Sequence, residues 1–156
     1  MSPAAGLNLS YDPVRGRLFA RTGWDEDDYR LSYSKDGLRI LRGSGEQVPA
    51  DEMEHLVLPG ATVSQAIEDK RFEVPVEAGE GMMPRIYLVG LKSGGRYSIR
   101  VNRADWRLVR ADPGGILEVF SDPANGVPEI KVDKPVRIQL RRALEDPPGR
   151  KRPTLN

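Results

Sequence analysis

The stretch that decides the fold is Pro84 to Phe120, PRIYLVGLKSGGRYSIRVNRADWRLVRADPGGILEVF. It opens as an apolar strand and passes a short Gly-rich corner. It continues as an alternating strand that ends at Val101, then turns back through a hairpin around Asp112-Pro113-Gly114-Gly115. Alternation of period two places successive side chains on opposite faces of a strand. The glycines from Gly90 to Gly95 are turn chemistry. They are not a phosphate loop, which needs Gly-Lys-Ser or Gly-Lys-Thr leading into a helix, whereas here a strand follows.

The same period recurs on either side. Leu7, Leu9 and Tyr11 share a face, closed by the turn Asp12-Pro13-Val14-Arg15-Gly16, and Leu18 and Ala20 then oppose Arg17, Phe19 and Arg21. Tyr29, Leu31 and Tyr33 alternate with Arg30, Ser32 and Ser34, and Asp36-Gly37 supplies the tight turn from which Leu38 and Ile40 run back. Residues 43–52 read as a polar loop, and Met53 to Leu58 as a short strand ending at Pro59-Gly60. One segment has helical spacing: in Thr62 to Lys70, Val63, Ala66 and Ile67 fall on one side, and Thr62 with Gln65 spaces like a capping box. Phe72, Val74 and Val76 resume a strand, with Pro75 marking an edge or a bulge. After loops at 79–83 and 121–128, residues 129–132 add a short strand or extend the loop, and Val136, Ile138 and Leu140 form the last strand. About eight to ten strands, with turns roughly every ten residues, predict an antiparallel sandwich. Residues 1–144 make one β-sandwich domain with one short helical segment, and the Pro-rich, charged 145–156 a disordered tail or linker.

A chain of 156 residues is long enough to bury about 68 to 70% of its unfolded surface. Its 24 basic and 23 acidic residues give a net charge of +1. No global field therefore recruits nucleic acid or an anionic membrane, and Arg150-Lys151-Arg152 is too short to argue otherwise. The absence of cysteine excludes disulfides, thiolate metal sites and thiol catalysis. No apolar run is long enough for a transmembrane helix, and MSPAAGLNLS has neither the basic start nor the apolar middle of a signal peptide. Two origins stay open: a cytoplasmic protein, or a piece of a longer secreted or periplasmic one.

GLKSGGRY, followed by SIRV, sets Leu91 six residues before Tyr97 across a turn. This resembles the tyrosine corner of fibronectin type III and related immunoglobulin-like sandwiches, where a phenol bonds back to the chain at the crossover between sheets. The resemblance implies an immunoglobulin-like or fibronectin-like sandwich with Tyr97 at the corner, Leu91 as its core neighbour, and Ile99 and Val101 on the inward face. More loosely, YDPVRGRLFARTGWDEDD and the later RADPGGILEVF and VRIQL resemble the β-sandwich modules that follow the catalytic domains of heparinase II/III-type polysaccharide lyases and some glycoside hydrolases. That resemblance implies a non-catalytic accessory module, packed on a partner domain or contacting a glycan, with no catalytic residue to carry over.

The candidate sites each have two readings. Asp25, Asp27 and Asp28, in the run Asp25-Glu26-Asp27-Asp28, offer hard oxygens to a structural calcium, or form a solvated turn. Trp24 is the aromatic best placed to stack a sugar, or is buried at a core or domain interface. Trp106, in register with Leu108, reads as core. Arg100 and Arg107 sit out of phase with their inward neighbours and share a surface with Arg137 and Arg141 if those strands are adjacent. Arginine forks would there meet the carboxylates or sulfates of an acidic polysaccharide; the alternative is a face balanced by Glu73, Glu77 and Glu118. His55, the only histidine, reads as an ordinary strand residue. No catalytic signature is present, so the expectation is a non-enzymatic module without a cofactor beyond that calcium. Its partners are a neighbouring domain or an acidic glycan; the alternative is a stand-alone adaptor that binds a protein through a strand edge.

Overall fold

The structure, a computed structural model, describes residues 9–77, 84–120 and 134–143. The expected tail at 145–156, the loops at 79–83 and 121–128, and the segment 129–132 lie outside the described residues.

Strands β1 (Leu9–Asp12), β2 (Arg17–Arg21), β3 (Tyr29–Ser34), β4 (Gly37–Arg42) and β5 (Gln47–Val48) pair in sequence as an antiparallel meander, the N-terminal sheet. A 3-10 turn at Ala50–Glu52 leads to β6 (His55–Leu58), β7 (Ala61–Gln65), β8 (Arg71–Val74), β9 (Arg85–Val89), β10 (Arg96–Val101), β11 (Arg107–Arg110), β12 (Leu117–Phe120) and β13 (Val136–Arg142). These build a middle sheet in the order β12-β9-β7-β6 and a C-terminal sheet in the order β11-β10-β13-β8. Among the described residues every strand pairing is antiparallel except β7 with β9, and the chain between those two runs through β8 in the other sheet. A parallel pair needs such a crossover, because no tight turn can join it.

The fold is all-β and has three layers. One core joins the C-terminal and middle sheets through Phe72, Ile86, Leu88, Tyr97, Ile99, Val119, Ile138 and Leu140. A second joins the N-terminal and middle sheets through Leu18, Leu31, Tyr33, Ile40, Leu56, Val63, Tyr87 and Val89. The middle sheet is therefore buried on both faces, which is why β9 reads as an unbroken apolar run, Ile86-Tyr87-Leu88-Val89. Phenols fasten the N-terminal sheet. Tyr11 meets Tyr87 edge to face at 5.1 Å and donates to Asp112 Oδ2 at 2.8 Å, while Tyr33 accepts from the Gly90 N–H at 3.0 Å. Tyr87 donates to Glu118 Oε2 at 2.8 Å. Burial first, then that bond, pushes the Tyr87 phenol up to about 12. Burial and Asp112 also raise Tyr11, and burial raises Tyr33.

Three expectations are corrected. No helix forms over 62–70: Ala61–Gln65 is β7, and the 3-10 turn is the only helical element among the described residues. The apolar residues that mimic one helical face serve two cores, Val63 facing the N-terminal sheet and Ala66 the C-terminal one. The Thr62 hydroxyl donates to the Pro75 carbonyl at 2.8 Å instead of capping a helix. The segment around Asp112-Pro113-Gly114-Gly115 is not a hairpin, because β11 and β12 belong to different sheets. Its turn closes on itself, with Asp112 Oδ1 accepting from the N–H groups of Gly114 and Ile116. Trp106 and Leu108 do not share a core face. Leu108 pairs with outward Ser98 and is 63% exposed, and Val109 is the β11 residue that packs on the core.

Candidate anion-binding surface

The outer face of the C-terminal sheet follows from its alternation. In β10, Tyr97, Ile99 and Val101 are buried, so Arg96, Ser98 and Arg100 point outward. In β13 the inward residues are Val136, Ile138 and Leu140, leaving Arg137, Gln139 and Arg141 outward. Register aligns Ser98 with Arg141 and Arg100 with Gln139. The flanking strands extend the face: Arg110 opposes Arg96, Arg71 opposes Gln139, and Glu73 opposes Arg137. Six arginines (Arg71, Arg96, Arg100, Arg110, Arg137 and Arg141) thus share one surface with a single strand carboxylate, Glu73.

Several of these guanidinium groups are held by neutral partners. Arg100 Nε donates to the Ala104 carbonyl at 3.0 Å, Arg110 donates to the Gly94 carbonyl at 2.9 Å, and Arg141 lies 4.6 Å from the centre of the Trp106 ring. Among the described residues none of the six is in an ion pair. The surface therefore holds positive charge in place without neutralising it, which is what attracts an anionic ligand. Asn102 sets the adjoining loop: at a φ of 54°, it accepts from the Arg137 N–H through Oδ1 and donates its own N–H to the Arg137 carbonyl.

The structure places Arg100, Arg137 and Arg141 together and leaves Arg107 apart. Arg107 pairs with buried Ile99, so it points toward the core side of edge strand β11. Its Nε is buried without a hydrogen-bond partner among the described residues. Arg71, Arg96 and Arg110 complete the face; the sequence signal for Arg71 was its alternation with Phe72 and Val74.

The other candidates lie elsewhere. Trp24 is 75% exposed, with the Arg21 guanidinium 3.4 Å from its ring centre. In the acidic run Asp25 and Asp27 are exposed, while the Asp28 carboxylate accepts from the Asp25 N–H at 2.7 Å and the Thr22 hydroxyl at 3.1 Å. Asp28 thus closes its own loop, and among the described residues no three His, Cys, Asp or Glu gather to hold a metal. Leu91 is buried, and the fully buried Tyr97 accepts from the Lys92 N–H. His55 Nδ1 lies 3.1 Å from the buried Ser64 hydroxyl, and burial lowers its pKa against a smaller upward pull from Glu54.

Compared with known protein families, curated proteins and solved structures, the chain matches none of them.

Proposed function

We propose that this chain is a non-catalytic accessory module of a carbohydrate-active or other extracellular multidomain protein, and that the outer face of its C-terminal sheet binds an acidic polysaccharide. The observation that carries this is the face itself, six outward arginines against one strand glutamate, with none of the six in an ion pair among the described residues. Guanidinium forks match the planar oxygens of carboxylates and sulfates, so a chain bearing such groups at intervals satisfies several at once. A polynucleotide fits less well. It would look for free rings on which to stack its bases, and Trp106 beside this face is already covered by Arg141.

An immunoglobulin-like origin for the middle and C-terminal sheets is part of the same reading. It is supported by the step from β9 to β10, which crosses between the sheets through the Gly90 to Gly95 corner, with the Tyr97 phenol bonded back to Lys92. The N-terminal meander is then an addition laid over the second face of the middle sheet.

Affinity electrophoresis through gels containing polygalacturonate, heparin or single-stranded DNA tests the proposal. Retardation by at least one polysaccharide is expected, weakening as salt rises and lost in the triple variant Arg100→Ala/Arg137→Ala/Arg141→Ala. Indifference to both polysaccharides, undiminished retardation of the triple variant, or stronger retardation by DNA overturns it.

A further inference from the structure

The outer face of the N-terminal sheet points the opposite way and has a different chemistry. Its central row runs Ser10, Phe19, Ser32, Arg39 across four strands, beside a row that holds Asp12, Arg17, Ser34 and Gly37. These two rows, with Asp36 and Gln47, line a half-open cavity of about 720 Å³ on the sheet face. That lies within the range of small-ligand sites, about 300–1,000 Å³. The Phe19 ring is 41% exposed at the centre of this face. Arg17 and Arg39 balance Asp12 and Asp36, so unlike the C-terminal sheet this lining carries no net charge.

We propose that this cavity is a binding site for a neutral oligosaccharide. A sugar ring has an apolar C–H face and a rim of hydroxyls, each both donor and acceptor. Phe19 supplies the apolar platform. The carboxylates accept, the guanidinium groups donate, and the serine hydroxyls and the Gln47 amide do both. Asp12 Oδ1 is taken by the N–H groups of Val14 and Arg15, but Oδ2 has only Arg15 at 4.0 Å and keeps acceptor capacity. A peptide strand is a poorer occupant, because β2, β3 and β4 are paired on both sides and present no open edge over the cavity.

The proposal is independent of the arginine face. It is tested by titrating cellohexaose, xylohexaose, mannohexaose, maltohexaose and chitohexaose separately into isotope-labelled protein and following backbone amide shifts. At least one hexaose should saturably shift the amides of Ser10, Phe19, Ser32 and Arg39. Phe19→Ala should weaken that binding about tenfold, roughly the loss of one aromatic contact, while Phe19→Tyr keeps it. The triple arginine variant of the C-terminal sheet should bind the hexaose unchanged, which separates this site from the other. Phe19 is solvent-facing, so its variants are expected to keep the parent melting temperature. No shift with any hexaose, shifts elsewhere only, unchanged affinity in Phe19→Ala, or tighter binding of tetragalacturonate at these amides overturns the proposal.

Discussion

The phenol oxygen of Tyr97 accepts the backbone N–H of Lys92 at 2.9 Å, tying β10 of the C-terminal sheet to the corner by which the chain leaves the middle sheet. Tyr97 is 0% exposed, so no water replaces the bond if the hydroxyl is removed. Tyr97→Phe leaves an N–H without its partner and should cost about 1–3 kcal/mol. Urea denaturation measures this; an unchanged midpoint with an unchanged slope would show that the corner does not depend on the phenol.

Two turns meet backbone to backbone where the N-terminal sheet joins the rest. A Cβ on Gly114 would collide with the Gly16 carbonyl, and one on Gly16 with the Gly114 N–H and Cα. Gly114→Ala should destabilise by about 3 kcal/mol, because the clash is with backbone that cannot rotate away. Gly37 is the control. It has a φ of 118° but open space around it, so Gly37→Ala should cost only the backbone strain, about 1–2 kcal/mol. Equal losses in the two variants would contradict this packing.

Stability should fall at both ends of the pH scale, for opposite reasons. Tyr11 and Tyr87 start from 10.0 and are raised in the fold. The unfolded chain therefore loses these protons first, and their contribution is whole below about pH 10 and declines as pH rises through the folded values. His55 starts from 6.5 and is lowered. The unfolded chain takes up that proton first, so the contribution is whole above about 6.5 and declines as pH falls through the lowered value. Melting temperatures across pH 4 to 12, roughly the window these groups define, should show both declines. Tyr87→Phe should reduce the alkaline one and His55→Gln the acid one; slopes identical to the parent's would refute the assignment.

Strands β1 to β4 of the N-terminal meander were legible from local residues: Leu18 and Ala20 opposing Arg17, Phe19 and Arg21, and the turn at Gly37, define them without reference to the rest of the chain. Only two residues long, β5 lies in the segment 43–52 that reads as a polar loop. The arginine surface was half legible. The phases of β10 and β13 follow from their own alternation, but β11 sits at an edge, where only Val109 touches the core. A four-residue strand, RLVR, gives alternation too little length to show which side is buried, so Arg107 and Leu108 were assigned to the wrong faces.

Strand content and the outward placement of Phe19, Arg100 and Arg137 follow from the sequence by itself, because period-two burial is a property of each strand and its nearest neighbours. The third layer does not. The segment at 61–65 is a strand because β6 and β9 flank it and cores press on both its faces. Side chains that serve two cores lose the one-sided periodicity from which a strand is read. Tertiary packing alone also decided that the two outer faces point in opposite directions. One collects unneutralised arginines from four strands, and the other lines a half-open, neutral cavity with a single exposed ring.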